Sequence, residues 1–463
     1  MKRTGLIKKL TRTIIILAVT ALTLTGAVPS FAAAERQDEP PKLDASSAIL
    51  MDAESETVIY EKNAHEKRDP ASITKILNCL VVLDTLDLDE KVTIDYEPEK
   101  EGSVMHLQKG ETLYVRDLVY AMMVWSANDA AEALGRLAGG TTENFCSMMN
   151  SKAEEYGAWD THYTNPNGLN PPGRVNNVTT AYDIALISAR AMDNPEFVEI
   201  VSTPKYTIPA TNKSEKRKGK SSNRCLWDTK TKFEDNGAKR PLKYEGCKGV
   251  KTGYSSTAGD CFAGYAKKGR TGLVAVVLNA SHEEPKFKDT IRLWDFGFAN
   301  YKTYRAAKAG EVLGKQKVKG GTLREVDLGT ERNLSAAVPK DYEAAENVEI
   351  SLELDEKKVQ APVKKGDVLG SAVLIDEKGK ELARRDLIAL ESAGEGGPLS
   401  RIGVADEDVP VFIIVVLTLA ALGTVLLVLR NRSERIRRRR ARRRRARRRS
   451  ARSRKRREHE TDK

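Results

Sequence analysis

Hydrophobic and polar positions form two kinds of pattern over the first three hundred residues of this 463-residue chain. Short apolar runs between turn residues predict strands, and apolar stripes at helical spacing predict helices. The predicted strands lie at 47–51, 57–62, 261–266 and 273–279, and the predicted helices begin at Asp69-Pro70, span 113–134 with a break near Ser126, and span 181–192. Because the helices lie between early and late strands, we expect an α/β domain over 35–302 whose sheet is assembled from both ends of the segment.

The pattern changes to a two-residue alternation after about residue 303. Residues 348–354 (VEISLEL) alternate apolar and polar side chains, which is typical of a half-buried strand. Two further strands, 368–375 and 381–390, are predicted on either side of a turn at Lys378-Gly379. We therefore expect a small β-rich domain over 303–391 and a linker, glycine-rich at its start, over 392–408.

Each end of the chain carries an uninterrupted apolar run. The first follows five basic residues and ends in small-residue cleavage sites, which predicts a secretory signal peptide over 1–34; an uncleaved anchor is the alternative. The second, 409–429, has the ~20 residues that a transmembrane helix needs. Acidic residues 406–408 precede it and Arg430 and Arg432 follow it, so residues 35–408 are expected outside the cytoplasm and the tail inside.

Charge is concentrated at the two ends. Residues 430–463 carry 20 Lys and Arg against 4 acids, and residues 1–34 carry 5 bases and no acid. The rest of the chain has 52 bases against 61 acids, so the net charge of +12 is no argument for nucleic-acid binding, and none is expected. The arginine-rich tail, 430–463, is expected to be unfolded, cytoplasmic and in contact with anionic lipids, with nucleic-acid binding by the tail as the alternative.

A separate lysine-rich segment lies at 213–220. We expect a solvated loop there, and contact with an anionic wall polymer is the alternative. Cysteine and histidine usage predicts no metal centre: the five histidines are scattered, and no Cys/His group has metal-ligand spacing. Cys79 and Cys261 are expected to pack in the core, whereas a disulfide between Cys225 and Cys247 is left open.

Three short motifs supply the parts of a serine acyl-transfer site that uses lysine as its base: residues 72–75 (SITK), 126–128 (SAN) and 251–253 (KTG). Ser72 and Lys75 are three residues apart, which places both side chains on one helix face. Ser72 is expected in the first helical turn, where backbone N–H groups stabilise developing negative charge. Lys75 must be neutral to act as a base, so burial or the charge of Lys251 is expected to lower its pKa.

The second motif offers a hydroxyl and an amide. Ser126 is a candidate proton relay between Lys75 and a leaving amine, and Asn128 can both accept from and donate to a substrate peptide amide. Taken alone, residues 126–128 would be explained by capping at a helix break. The presence of all three motifs in this order favours catalysis instead.

The third motif combines a cation, a hydroxyl and a glycine on a predicted strand edge. Lys251 and Thr252 can hold a terminal carboxylate, and Gly253 is expected to let the substrate backbone approach closely. The backbone N–H of Tyr254, together with that of Ser72, is expected to form an oxyanion hole.

Longer stretches around these motifs carry a family resemblance. The chain resembles the low-molecular-mass penicillin-binding proteins, specifically serine D-alanyl-D-alanine carboxypeptidases, at 70–75 (PASITK), 126–130 (SANDA), 165–169 (NPNGL), 249–253 (GVKTG) and 361–367 (APVKKGD). The resemblance covers roughly residues 45–391. It implies a penicillin-recognising α/β domain followed by a β-rich domain, and an acyl-enzyme on Ser72. It also implies removal of the terminal D-alanine from peptidoglycan stem pentapeptides, without a cofactor, and inhibition by β-lactams.

The chain departs from the family pattern at two positions. Tyr254 stands where many members have histidine, and Ala127 stands where a glycine is frequent. The C-terminal segment also differs, because it is predicted to span the membrane rather than lie on it as an amphipathic helix. The alternatives are a membrane-anchored β-lactamase and a catalytically inactive wall-binding scaffold, and the oligomeric state is open.

Overall fold

The computed structural model describes residues 39–98, 100–169, 176–235, 237–342 and 348–460. The predicted signal peptide, 1–34, lies outside them. The chain divides into two compact units. The first runs to Ala306 and includes Ser335–Glu349 and Asp376–Ala383, and the second comprises Ala307–Leu334, Ile350–Ile375 and the chain from Arg384 onward.

Most helices of the described residues lie between the early and the late strands of the first unit, and one long helix lies near the C-terminus. They are α1 (Lys75–Thr85), α2 (Val115–Val124), α3 (Asn128–Gly139), α4 (Thr142–Glu155), α5 (Ala181–Ala191), α6 (Pro195–Val201), α7 (Glu283–Asn300) and α8 (Val409–Glu460). The strands are β1 (Ser47–Asp52), β2 (Val58–Lys62), β3 (Lys91–Thr93), β4 (Thr112–Tyr114), β5 (Lys205–Ile208), β6 (Arg217–Lys220), β7 (Lys232–Asp235), β8 (Ala238–Pro241), β9 (Cys247–Ser255), β10 (Gly259–Lys268), β11 (Thr271–Ala280), β12 (Tyr301–Ala307), β13 (Gly314–Lys319), β14 (Glu325–Gly329), β15 (Leu334–Pro339), β16 (Val348–Leu354), β17 (Val359–Gln360), β18 (Val368–Asp376) and β19 (Glu381–Ala389).

A five-stranded antiparallel sheet forms the centre of the first unit, in the order β2-β1-β11-β10-β9. The early strand β1 pairs with the late strand β11, which confirms the prediction that both ends of the segment build one sheet. Side chains alternate between two cores, because successive residues of a strand point to opposite faces. Ile49 and Met51 enter the core that contains α1 to α3 and α5, whereas Ala48 and Leu50 enter the core that contains α7.

Two breaks in the helices position the predicted catalytic residues. The α-helix predicted from Asp69-Pro70 begins instead with a 3₁₀ turn, Ala71–Thr74, which carries Ser72, and α1 starts at Lys75. The break predicted near Ser126 is confirmed, since α2 ends at Val124 and α3 begins at Asn128. Ser126 itself has a φ of +68°, a left-handed conformation that keeps it out of both helices.

The second unit contains a six-stranded sheet in the order β16-β18-β19-β14-β13-β17. It includes the three strands predicted after residue 348. The first part of the predicted linker is packed on this unit: Ala393 is fully buried, Gly394 accepts a hydrogen bond from the Thr322 N–H, and Gly396 donates one to Gly320. Small residues allow this close backbone approach, so the start of the predicted linker, around residues 393–396, contacts the folded second unit.

The arginine-rich tail is helical rather than unfolded. Helix α8 runs without interruption from Val409 to Glu460. Extending an existing helix adds one hydrogen bond per residue without a new nucleation cost, and arginine and alanine are good helix formers. By length and composition, α8 contains a candidate membrane span, which supports anchoring at the predicted place.

The structure also shows the lysine-rich segment and the cysteines. The segment 213–220 is only partly a loop, because Arg217–Lys220 forms β6 and pairs with β5. All five cysteines carry free thiols, so Cys225 and Cys247 are not bridged. Cys79 and Cys261 are fully buried, as expected for core residues.

Candidate active site

The candidate nucleophile and its candidate base are in direct contact. The Lys75 Nζ donates a hydrogen bond to the Ser72 Oγ at 2.9 Å. Lys75 is fully buried at the start of α1, whereas Ser72 is partly accessible. Burial and, secondarily, the charge of Lys251 hold the pKa of Lys75 well below its ordinary value, and Asp129 opposes this shift. A buried lysine with a depressed pKa beside a serine hydroxyl is equipped to accept its proton.

Two further acceptors fix the position of the Lys75 ammonium. Its Nζ donates to the Asn128 Oδ1 at 2.7 Å and to the backbone oxygen of Asn167 at 2.5 Å. The Asn128 side chain also donates to the Glu101 carbonyl at 2.9 Å. The backbone N–H of Asn128 donates a further hydrogen bond to the Ser103 carbonyl. Asn128 therefore connects Lys75 to the loop that contains Glu101 and Ser103.

Ser126 contacts the other lysine. The Lys251 Nζ donates to the Ser126 Oγ at 2.9 Å and to the Thr252 carbonyl at 3.0 Å. Among the hydrogen bonds of the described residues, none joins Ser126 to Lys75. A relay from Lys75 through Ser126 therefore requires the Ser126 hydroxyl to turn from its resting partner.

Lys251 is buried within a cationic environment. Burial, with the nearby charge of Lys286 as the second cause, lowers the pKa of Lys251 to about 7. Lys286 is itself paired with Asp260 across 2.7 Å in a buried ion pair. Burial therefore disfavours the charged form of Lys251, and an arriving anion would favour that form.

The rest of the third motif lies along β9. The Thr252 and Ser222 hydroxyls are 2.6 Å apart. Tyr254 is 68% exposed, so its side chain is available to solvent or to a substrate.

Gly253 lies where β9 approaches the turn that carries Ser72. A Cβ at Gly253 would lie 2.9 Å from the Pro70 carbonyl and 3.3 Å from Ile73. The missing side chain therefore lets β9 pack against the turn that carries Ser72. The expectation that Gly253 also admits the substrate backbone stays a prediction.

A loop outside the three motifs, residues 165–169, supplies the Asn167 carbonyl that accepts from Lys75. The Asn165 Oδ1 accepts from the Gly168 N–H at 2.7 Å, and the Asn177 Nδ2 donates to the Thr74 Oγ1 at 3.1 Å. Gly168 has a φ of +83°, and a Cβ there would lie 1.9 Å from the Ala71 carbonyl. The loop is thus held against the nucleophile turn. Its sequence, NPNGL, was visible only as part of the resemblance.

Asp129 is a second residue whose role the sequence did not reveal. It is fully buried, and its carboxylate accepts from the N–H groups of Met105 and Leu107, each at 3.0 Å. These two hydrogen bonds hold residues 105–107 in place. The residues just before them, Glu101 and Ser103, accept hydrogen bonds from Asn128. No cluster of three or more His, Cys, Asp or Glu side chains suited to a metal ion occurs in the part of the chain that the structure describes.

Comparison with known proteins agrees with this geometry. The family model of D-alanyl-D-alanine carboxypeptidase matches residues 34–282, and that of the penicillin-binding protein 5 C-terminal domain matches residues 301–395. The chain belongs to the D-alanyl-D-alanine carboxypeptidase family.

Relatives of this carboxypeptidase family match most of the chain. The D-alanyl-D-alanine carboxypeptidase DacF of Bacillus subtilis is 31% identical over 76% of this chain and 87% of its own length. DacC of Escherichia coli is 32% identical over 81% of this chain and 90% of its own. The crystal structure of penicillin-binding protein 5 from Haemophilus influenzae covers 78% of this chain and all of its own, with a TM-score of 0.60 and 29% identity.

Proposed function

We propose that this carboxypeptidase removes the terminal D-alanine from peptidoglycan stem peptides through an acyl-enzyme on Ser72. The observation that carries the proposal is the 2.9 Å hydrogen bond between the Ser72 hydroxyl and the buried Lys75, whose pKa is depressed. The names of the related carboxypeptidases support the choice of substrate.

Acylation begins when neutral Lys75 takes the Ser72 proton. The Ser72 Oγ then attacks the carbonyl carbon of the penultimate residue, and the carbon–nitrogen bond to the terminal D-alanine breaks. Ser126 passes its proton to the leaving amine and takes the proton that Lys75 accepted, so Lys75 is neutral again. A water molecule, activated by the same base, hydrolyses the acyl-enzyme and restores Ser72. The backbone N–H groups of Ser72 and Tyr254 are the proposed oxyanion donors, a role independent of the Tyr254 side chain.

Lys251 and Thr252 are proposed to hold the terminal carboxylate, with Asn128 on the substrate amide. Because the pKa of Lys251 is about 7, the carboxylate would bind the protonated form and raise that pKa. The retained charge on Lys251 would in turn keep Lys75 neutral, since Lys251 depresses the Lys75 pKa. Substrate binding would thus prepare the base.

The protein is also proposed to be anchored by the apolar part of α8, with residues 35–408 outside the cytoplasm after signal-peptide removal. The candidate span, the acidic residues before it and the arginines after it support this arrangement. The β-lactam recognition implied by the family rests on the similarity of these drugs to the D-Ala-D-Ala terminus.

Incubation of the full-length protein with penicillin, followed by mass spectrometry, tests the proposal. The expected result is one adduct on the peptide that contains Ser72, with a lifetime of many minutes. Fast turnover of the adduct would support the β-lactamase alternative instead. No adduct, together with no D-alanine release, would support the inactive scaffold.

A further inference from the structure

The hairpin formed by β5 and β6 has two faces of opposite character. One face packs on the helical core: Tyr206 stacks on Tyr120 with ring centroids 3.9 Å apart, and Arg217 donates two hydrogen bonds to Glu111. The other face carries exposed Lys205, Thr207, Lys218 and Lys220. Period-two alternation explains this division, because successive strand residues point to opposite sides.

The outer face brings like charges together. Lys205 lies directly opposite Lys220 in the strand register, and Thr207 lies opposite Lys218. Like charges directly opposite one another in a strand pair are destabilising. Lys213 and Lys216, in the connecting loop, are also exposed. The hairpin over 205–220 holds six basic residues and one acid, Glu215.

No carboxylate of the described residues neutralises these charges through an ion pair. Among the described residues, none of the five lysines of this surface (Lys205, Lys213, Lys216, Lys218 and Lys220) forms an ion pair. By contrast, Arg217, on the inner face, is paired with Glu111. The Lys220 ammonium lies over the Trp227 ring, 2.9 Å from its centroid, which holds this charge in place.

The surface adjoins the active site. A Cβ at Gly219 would collide with the ring of Trp125, the residue before Ser126, so β6 is seated tightly beside the second motif. Two residues after Lys220, the Ser222 hydroxyl lies 2.6 Å from that of Thr252. Two residues of extended chain span about 7 Å, so Lys220 lies close to the proposed carboxylate anchor.

We infer that the outer face of the β5–β6 hairpin binds the carboxylates of polymeric peptidoglycan, the same polymer that supplies the substrate. The inference rests on the proposed function. Peptidoglycan carries free carboxylates on its peptides, and its strands surround a wall enzyme, so a basic face beside the site would concentrate the polymer there. Electrostatic attraction of this kind raises association rates and weakens with salt.

The test uses the full-length protein in detergent and the variant Lys205→Gln/Lys218→Gln/Lys220→Gln. The matched control is Lys230→Gln/Lys232→Gln/Lys239→Gln, which removes three exposed lysines at and next to the β7–β8 hairpin. D-alanine release is measured on a short peptide ending in D-Ala-D-Ala and on purified peptidoglycan with pentapeptide stems. Binding to insoluble peptidoglycan is measured by sedimentation in a Ser72→Ala background, at low and high salt.

The expected result is a loss on the polymer alone. At low salt the β5–β6 variant should bind peptidoglycan about 3- to 100-fold more weakly, because three exposed charge contacts are lost together. Its rate of D-alanine release from the short peptide should be unchanged. The control should resemble the wild type. Amidation of the peptidoglycan carboxylates should remove the difference between variant and wild type.

Other outcomes would overturn the inference. Equal polymer binding by variant and control would exclude the surface, and an equal loss on both substrates would mean that the lysines act on the site itself. Dependence of binding on attached phosphate polymers, with no effect of amidation, would assign the surface to phosphate instead. If the wild type released no D-alanine from either substrate, the proposed function would fail, and sedimentation would still report on the surface.

Discussion

Lys251 and Ser126 are joined by a hydrogen bond of 2.9 Å, so each of the two site serines has its own lysine. Ser72 is paired with Lys75, the proposed base, and Ser126 with Lys251, the proposed carboxylate anchor. The two lysines are electrostatically coupled, since the charge of Lys251 depresses the pKa of Lys75. The proposed mechanism requires opposite protonation states: Lys75 neutral and Lys251 charged.

The pH dependence of kcat/KM should report this requirement. Lys75 is neutral above its lowered pKa, and Lys251 is protonated below about 7 in the free enzyme. We therefore expect kcat/KM on a D-Ala-D-Ala peptide to fall as the pH rises through about 7, and to fall again in acid. In Lys251→Arg the alkaline decline should disappear, because arginine stays charged. A decline that persisted in this variant would belong to another group.

The two lysines should respond differently to charge-conserving substitution. Lys75→Arg should be nearly inactive, because arginine cannot accept the Ser72 proton. Lys251→Arg should retain part of the activity, and Lys251→Ala should lose roughly 1.5–3 kcal/mol, or about 10- to 150-fold in kcat/KM. Kinetics on the same peptide measure all three. An active Lys75→Arg with an inactive Lys251→Arg would reverse the assignment.

Removal of the nucleophile should abolish covalent labelling without unfolding the protein. Ser72→Ala deletes one partly accessible hydroxyl, so the thermal transition should shift little while labelling by penicillin disappears. Gel fluorescence with a labelled penicillin measures the first effect and calorimetry the second. Labelling that survived this substitution would place the nucleophile elsewhere.

A side chain at Gly168 should disturb the loop that holds the Lys75 Nζ in place. In Gly168→Ala the new Cβ collides with the Ala71 carbonyl, which displaces the loop that offers the Asn167 carbonyl. The control is Gly157→Ala, where φ is also positive (+78°) but the new Cβ would meet only the Trp159 Nε1, at an ordinary contact distance of 3.9 Å, so only a conformational cost of roughly 1–2 kcal/mol is expected. Gly168→Ala should lose more stability and most of the D-alanine release. Equal effects of the two substitutions in denaturation and kinetics would refute the proposed contact.

The membrane arrangement makes a prediction for intact cells or protoplasts. External protease should digest the 35–408 region and spare a fragment that contains the arginine-rich tail, because acids precede the span and arginines follow it. Immunodetection of a tag at the end of the tail measures the result. Loss of that tag to external protease would reverse the orientation.

Sequence patterns predicted the parts of the site that are local in the chain. The three-residue spacing of Ser72 and Lys75 was sufficient to predict their contact, and the break around Ser126 followed from the residues that flank it. The contact between Lys75 and the Asn167 carbonyl could not be predicted in this way, because a backbone acceptor 92 positions away has no side-chain signature.

Long-range packing explains the remaining differences. A strand-edge glycine such as Gly253 suggests close approach of a substrate, but the residue type does not reveal that the protein's own Pro70 carbonyl also approaches it. The buried Asp129 sits next to a motif residue, but its partners are two backbone N–H groups more than 20 positions earlier. Neither the packing partner of Gly253 nor the hydrogen-bond partners of Asp129 can be predicted from residue type or spacing.

The pairing of β1 with β11 has a consequence for how the chain acquires its structure. Ser47 is opposite Leu278, about 230 positions later, so the central sheet cannot close until nearly the whole first unit has been synthesised. Such high contact order slows folding, because a long loop must be closed before its contacts stabilise it. A nascent chain that stays open this long suits the proposed export, since a secretion channel that threads extended polypeptide meets no finished sheet to unravel.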